Sequence, residues 1–164
     1  MHITYETVKQ SVEIRTYITQ ADASLLALGY TEHSFAHVTR CAVVAGDLLQ
    51  ELGYDAHTVE LCRIAAFMHD IGNVVNRNDH AQTGAVMAFR ILDNMGMEPS
   101  DVAAVITAIG HHDDSTAFPV NAIAAALLLA DKTDVRRSRV RNRDTINFDI
   151  HDRVNYSVKK SVLK

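Results

Sequence analysis

The sequence predicts an all-α fold, a bundle of six or seven helices. Only two prolines and seven glycines interrupt 164 residues, so few positions break helical continuity. Apolar residues recur at helical spacing through most of the chain, and several glycines stand where these patterns stop, as residues that end helices do. The expected arrangement is therefore helices packed on helices around one core.

Six helices are expected before the most basic part of the chain. They cover residues 4–28, 34–52, about 55–70, 80–95, 99–110 and a segment that Pro119 opens. Asp55 or Thr58 can cap the third helix, and the Pro99-Ser100-Asp101 sequence opens the fifth. The sixth contains the run 122–130, which is apolar nearly all round, so we expect it to be central and buried.

The pattern decays after residue 137. Five arginines fall within eight residues there, at positions 136, 137, 139, 141 and 143. Residues 145–150 alternate loosely enough to predict a short strand, and residues 152–163 are expected to form a final helix. Because no stacking aromatic residues stand among the arginines, this cluster alone is weak support for nucleic-acid binding.

Composition and charge exclude several classes of protein. The net charge is −4, so the chain as a whole has no electrostatic attraction for nucleic acid. The longest uncharged apolar stretch, 118–130, has 13 residues, whereas a membrane-spanning helix needs about 20. The start of the chain carries Glu6, Lys9, Glu13 and Arg15 among its apolar residues, which is unlike a signal peptide. We expect a cytoplasmic protein with no membrane partner.

Ionisable residues cluster at the ends of the expected helices. Asp131 directly follows the most apolar segment, and a buried carboxylate is costly unless a cation or several donors satisfy it. Each residue also has an ordinary explanation: Asp131 can mark the surface, the His69-Asp70 pair can answer a helix dipole, and His33 and His37 can be a surface pair. The residues concerned are His33, His37, His69, Asp70, His80, His111, His112, Asp113, Asp114 and Asp131.

Taken together, these residues favour a metal site. Imidazole and carboxylate ligands suit iron, manganese, zinc, nickel or cobalt. The two cysteines, Cys41 and Cys62, are expected to be buried, reduced thiols without a partner. Because there are more histidines than one tetrahedral centre needs, the set points to two metal ions that share a bridging carboxylate.

Three motifs resemble a known family. His37 in HVTRCA, His69-Asp70 in FMHDIG and Asp131 in LLADKTD resemble, in order and context, the H…HD…D signature of the HD-domain metal-dependent phosphohydrolases, an all-helical superfamily. The resemblance implies that these four residues are the ligands of a first metal ion, with Asp70 as the bridge. It implies a single HD domain over 1–164, with a core at about 31–137 and a C-terminal extension at 138–164.

Further histidines resemble those of the dinuclear branches, which include the diadenosine tetraphosphate hydrolases and the HD-GYP phosphodiesterases. His80 in HAQTGA and His112 in AIGHHDD match the second-site positions, and His111 serves instead of or beside His112. No GYP follows HHDD, and Asn73 stands where the HDIGK motif has a lysine. These departures count against hydrolysis of a cyclic dinucleotide.

The resemblance implies metal-activated attack of water on a phosphoester or phosphoanhydride of a nucleotide or other small phosphorylated metabolite. One or two divalent ions are expected, iron or manganese before zinc, nickel or cobalt. Asp70 and Lys132 are the candidate catalytic residues, and His33 and Arg136 are candidates for substrate binding. Surface roles for Lys132, His33 and Arg136 stay open.

Two other functions and the oligomeric state also stay open. Some relatives with such ligands are di-iron oxygenases, and a domain of this kind can act as a metal-binding sensor or adaptor without turnover. A homodimer through the first or last helix is a further possibility.

Overall fold

The chain folds into α-helices joined by short connections, in a computed structural model that describes residues 3–141 and 150–164. The described residues contain no β-strand, and the predicted all-α class is confirmed. Two short 3-10 helices lie between the α-helices, at Ile71–Val74 and Arg137–Arg139. The α-helices of the described part are α1 (Tyr5–Gln10), α2 (Val12–Ala27), α3 (Phe35–Glu51), α4 (Ala56–Met68), α5 (His80–Asn94), α6 (Pro99–Gly110), α7 (Ala122–Thr133) and α8 (Ile150–Ser157).

The single first helix predicted for residues 4–28 was wrong, because the helix breaks at Ser11. Ser11 has an extended backbone, its N–H donates to the carbonyl of Val8, and its side chain accepts a hydrogen bond from the N–H of Ile14. One serine therefore ends α1 and caps α2, a position that serine favours over the helix interior. This break explains why the described residues contain eight α-helices where six or seven helices were expected.

The end of the chain also differs from the prediction. Helix α8 covers Ile150–Ser157 instead of 152–163. The strand expected at 145–150 falls mainly on residues outside the described part of the chain, and Ile150 itself begins α8.

The sixth predicted helix, α7, begins at Ala122 because the side chain of Asn121 accepts a hydrogen bond from the Ala124 N–H at 2.9 Å and so caps it.

The core is centred on α4, and α7, which the sequence predicts to be central and buried, packs against it. Helix α4 packs against α3, α6 and α7, and its last turn, including Phe67 and Met68, is fully buried. Helix α7 buries one side, while its Leu129 is 46% exposed. The HD pair therefore emerges from the most buried helix of the molecule. None of the described helices is long and apolar enough to cross a membrane.

A close backbone contact brings the start of α5 against the residues that follow α4. A Cβ atom on Gly72 would lie 2.0 Å from the carbonyl oxygen of His80 and 2.5 Å from the backbone nitrogen of Gly84. Only glycine fits at Gly72 at this distance. Asp79, just before α5, adopts a left-handed conformation with φ of 57°. Together these residues set the position of His80.

Candidate metal centre

Six side chains from five helix ends and connections converge on one region of the core. All are buried except Asp131, whose side chain is 28% exposed. His37 lies in the first turn of α3, His69 and Asp70 follow α4, His80 begins α5, His112 follows α6, and Asp131 lies in the last turn of α7.

Four ligand atoms of this set face a common point, which we call the first centre. The His37 Nε2 atom lies 3.5 Å from Asp70 Oδ2 and 3.2 Å from Asp131 Oδ1. The His69 Nε2 atom lies 3.1 Å and 3.7 Å from the same two oxygens. Atoms that share an ion at about 2.1 Å are separated by about 3.0–3.5 Å. The spacing therefore fits a bound metal ion.

Two of these atoms have no hydrogen-bond partner among the described residues, although both are buried. They are His69 Nε2 and Asp70 Oδ2. A buried polar atom left in this way costs free energy unless something else satisfies it. Because an imidazole nitrogen and a carboxylate oxygen face each other here at 3.1 Å, a proton or a metal cation between them satisfies both. The residues present therefore fit the metal that their chemistry implies.

A second centre lies on the other oxygen of Asp70. Asp70 Oδ1 is 3.6 Å from His80 Nε2 and 3.7 Å from His112 Nε2. The two Nε2 atoms are 3.2 Å apart. Neutral imidazoles that donate through Nδ1 carry lone pairs on Nε2, so this contact requires a proton or a cation. Asp70 thus offers one oxygen to each centre, which is the geometry of a bridging carboxylate.

The ring orientation of all four histidines is fixed by an acceptor at Nδ1. His69, His80 and His112 lie within 2.7, 3.0 and 2.6 Å of the backbone carbonyls of Ala66, Arg77 and Ile109 respectively. His37 instead uses the carboxylate of Asp134, at 2.8 Å. Such outer hydrogen bonds set the tautomer and leave Nε2 free to bind metal.

The charges of the site favour a cation where the ligands converge. Burial lowers the pKa of His69, but the carboxylates of Asp70 and Asp131 outweigh it and hold that pKa well above its ordinary value. Burial raises the pKa of Asp70 and of Asp131, yet the facing histidines, His37 among them, hold both well below the usual range. The carboxylates are therefore ionised, and positive charge between them and the imidazoles is stabilised.

His111 lies outside both centres. Its Nδ1 atom is hydrogen-bonded to the carbonyl of Thr107 at 2.8 Å, and it belongs to neither group of potential ligands found among the described residues. Of the two adjacent histidines left open by the sequence, His112 is the one that lies beside Asp70.

A cavity of about 350 Å³ opens over the first centre at Asp131. His33 and Lys132 line it, and Lys132 is paired with Asp114. Burial lowers the pKa of His33 to about 3. His33 is therefore a neutral imidazole that donates from Nδ1 to the carbonyl of Thr31 at 2.7 Å. Both residues stand where a substrate above the first centre would meet them.

Arg136, the other residue assigned to substrate, does not line this cavity. Its guanidinium donates to Asp134 at 2.6 and 3.0 Å and reaches Glu32 at 3.4 Å. Asp134 in turn accepts from His37. Arg136 therefore supports the acceptor that orients a metal ligand, and the geometry gives it a positioning role in place of substrate contact.

The neighbouring arginines of the basic cluster are also engaged within the protein. Arg137 donates to the carbonyl of Tyr156 at 2.7 Å, and Arg139 donates to that of Asp134 at 2.7 Å. Arg141 binds both oxygens of Asp22 at 2.6 Å. The cluster thus holds distant segments together, while Arg143 lies outside the described residues.

Sequence reasoning missed two residues beside the ligands. The thiol of Cys41 lies 3.7 Å from both ring nitrogens of His37 and joins His37, His69 and Asp131 as a potential ligand. Its spacing of four from His37 on one helix face was the available signal. Asp134 carried no comparable signal, because its partner His37 is 97 residues away.

Comparison with known proteins is consistent with this geometry. Residues 34–140 match the sequence profile of the HD domain. Ribonuclease Y of Cutibacterium acnes (strain DSM 16379 / KPA171202) is 34% identical over 128 residues, which cover 71% of this chain and 22% of that protein. This chain therefore spans about a fifth of the length of that relative.

A solved structure gives the same assignment. The crystal structure of a predicted HD superfamily hydrolase from an uncultured Thermotogales bacterium superposes with a TM-score of 0.59 and 26% sequence identity, over 76% of this chain and 67% of the other. The profile match spans more than half of the chain and contains all six converging residues. The chain belongs to the HD-domain family.

Proposed function

We propose that this protein is a metal-dependent phosphohydrolase that cleaves a phosphoester or phosphoanhydride of a nucleotide or small phosphorylated metabolite. The observation that carries the proposal is the division of Asp70 between two centres, with histidine Nε2 atoms 3.1 Å from one oxygen and 3.6 Å from the other. A pair of centres bridged by one carboxylate is typical of enzymes that displace groups at phosphorus. Iron and manganese are the proposed metals.

When bound, divalent ions at these centres supply Lewis acidity and make water acidic enough to attack phosphorus near neutral pH. The protein supplies the geometry. Asp134 and the backbone carbonyls fix the histidine rings, so that each Nε2 lone pair points inward without further reorganisation. Asp70 sets the separation of the two centres, and the exposed edge of Asp131 leaves access from the cavity.

Lys132 is the proposed cation for the leaving group. It directly follows Asp131 and lines the same cavity, where Asp114 holds its ammonium group. Hydrolysis forms a bond from the water oxygen to phosphorus and breaks the bond to the leaving oxygen. A fixed ammonium near that oxygen stabilises the negative charge that develops on it.

A second candidate is cleavage of a phosphodiester bond in RNA. The similarity to ribonuclease Y favours it. The distribution of charge does not, because Arg136, Arg137, Arg139 and Arg141 all bind groups of the protein itself. Hydrolysis of a small phosphorylated substrate is therefore our first proposal.

Elemental analysis of untagged protein purified without added metal, followed by hydrolysis assays, tests the proposal. We expect about two equivalents of iron or manganese and release of phosphate or alcohol from small phosphoesters in the presence of Mn²⁺. Oxygen uptake by iron-loaded protein without hydrolysis would support a di-iron oxygenase instead. Bound metal with neither activity would support a sensor or adaptor domain.

A further inference from the structure

The cavity over the first centre has two walls of different origin. One wall includes Arg77 and Lys132, which lie within the HD-domain match, and Tyr30 and His33, which directly precede it. The opposite wall is the C-terminal helix α8, through Ile150, Val154 and Asn155. The HD-domain match ends at residue 140, so α8 lies outside the part of the chain that defines the family. A helix beyond the HD-domain match thus lines the cavity over the candidate metal centre.

Helix α8 is held in place by the residues that follow Asp131. The backbone N–H of Arg136 donates to the side chain of Asn155 at 3.0 Å. The guanidinium of Arg137 donates to the carbonyl of Tyr156 and lies 4.7 Å from the centre of its ring. Beyond the helix, the Ser161 hydroxyl donates to the Thr133 carbonyl at 2.6 Å. These contacts fix α8 as a wall of the cavity.

The core-side wall holds the cations Arg77, Lys132 and Arg139 together with the carboxylates Asp114, Asp131 and Asp134. Lys132 is paired with Asp114, and Arg139 with Asp134. Arg77 lies in the connection before α5, with its guanidinium 5.4 Å from the centre of the Tyr30 ring. The Nη1 atom donates to Asn73 at 3.3 Å and lies 3.5 Å from His80 Nε2. A guanidinium has five N–H donors, and the described hydrogen bonds of Arg77 use Nη1 alone. Arg77 is therefore a fixed cation, next to the second centre, with donors left for phosphate oxygens.

Ile150 and Val154 form the apolar part of the α8 wall, beside the polar side chains of His151 and Asn155. Val154 is 47% exposed and Ile150 is 62% exposed, and both line the cavity. Such side chains gain from contact with an apolar or aromatic part of a ligand. The volume of about 350 Å³ lies toward the lower end of ligand pockets, which span about 300–1,000 Å³. A polynucleotide instead requires an open basic groove.

We infer that α8 is the specificity wall of this enzyme. It restricts the site to a small molecule whose phosphate is bound by Arg77 and Lys132 beside the metal centres and whose organic part packs against Val154 and Ile150. This inference rests on the proposed function and deepens it, since it assigns the size of the substrate to a helix beyond the HD-domain match. Phosphate recognition and recognition of the organic part are thus carried by opposite walls.

Isothermal titration calorimetry on the full chain loaded with Mn²⁺ measures what each wall contributes to ligand affinity. The probes are inorganic phosphate and adenosine 5′-monophosphate. Val154→Trp should weaken binding of the nucleotide by about tenfold or more and leave inorganic phosphate within about twofold. Arg77→Met should weaken both probes by about tenfold, since a charged donor pair is lost. The matched control is Arg153→Ala, an exposed residue of α8 that does not line the cavity, and it should change neither.

Two results would overturn the inference. One is a Val154→Trp protein that binds the nucleotide as the unchanged protein does. The other is a ten-nucleotide RNA that binds more tightly than the mononucleotide and is unaffected by Val154→Trp, which would indicate an open RNA surface. Val154→Phe, a smaller change, provides the same comparison if the tryptophan variant has a lowered unfolding temperature.

A parallel hydrolysis assay distinguishes this inference from the proposed function. If Val154→Trp weakens binding of the nucleotide but not of inorganic phosphate, and no hydrolysis is detected, the inference about α8 stands and the proposed phosphohydrolase function is refuted. Hydrolysis with unchanged affinities in Val154→Trp and Val154→Phe would retain the phosphohydrolase and refute the wall.

Discussion

The two candidate metal centres share Asp70 but differ in how their histidines are held. The first takes His37, His69 and Asp131 from the ends of α3, α4 and α7, which pack on one another in the core, and a carboxylate orients His37. The second takes His80 and His112 from helix ends, where backbone carbonyls orient both rings. The difference indicates that the first centre depends on the core and the second on the path of the connecting backbone.

The largest effect is expected at the residue that the centres share. Asp70→Asn removes the charge that faces four imidazoles, so metal content should fall from about two equivalents toward none and hydrolysis should be lost. Mass spectrometry of the metals measures this. His57→Ala is the control, because His57 is paired with Asp101 at the surface. An Asp70→Asn protein that retained both ions would contradict the bridging role.

Removal of a ligand from the second centre should affect metal binding there and leave the first centre occupied. His80→Ala and His112→Ala are each expected to lose the second ion and keep the first, giving about one equivalent of metal. His111→Ala is the matched control and should keep both, because its ring is bound to Thr107 and faces neither centre. Loss of all metal from His80→Ala would show that the first centre does not form alone.

A smaller effect is expected from the outer partner of His37. Asp134→Asn removes a charge from the acceptor that holds His37 Nδ1, so affinity for the first ion should fall by about 10–100-fold while the second changes less. Competition with a metal-sensitive chelator measures each affinity. Equal weakening at both centres would show that the substitution acts through global stability, since Arg40 and Arg136 also bind Asp134.

The smallest effect on metal is expected from the backbone contact beneath the second centre. Gly72→Ala places a Cβ atom 2.0 Å from the His80 carbonyl, which should destabilise the fold by about 1–3 kcal/mol and weaken the second ion before the first. Gly84→Ala is milder, because its nearest contact is 3.2 Å. Urea unfolding with metal titration compares them. A Gly72→Ala protein in which only affinity for the first ion falls would contradict the assignment of this backbone contact to the second centre.

Local patterns made much of the fold and site predictable. His37, His69, Asp70 and Asp131 stand at helix ends that glycine, proline and capping residues mark in the sequence. The break at Ser11 was missed because the apolar pattern runs through it, although a serine can end one helix and cap the next.

Interactions between distant residues could not be read from the sequence. Arg136 resembled a substrate residue, yet its partners include Glu32, which is 104 positions earlier. Arg141 likewise binds Asp22 from 119 positions away. Only the packing of the whole chain decides whether an arginine meets a carboxylate or a ligand. The same holds for α8, because its role depends on which part of the folded chain it packs against.

Asp134 also has a thermodynamic consequence. It accepts from the imidazole of His37 and from the guanidinium of Arg136, and the backbone of Arg136 holds Asn155 of α8. Arg136 therefore connects the acceptor of His37 with α8, and we expect occupation of the first centre and docking of α8 to be linked equilibria. Linkage is reciprocal, so a molecule that packs against α8 changes the affinity for metal by the same factor by which metal changes the affinity for that molecule.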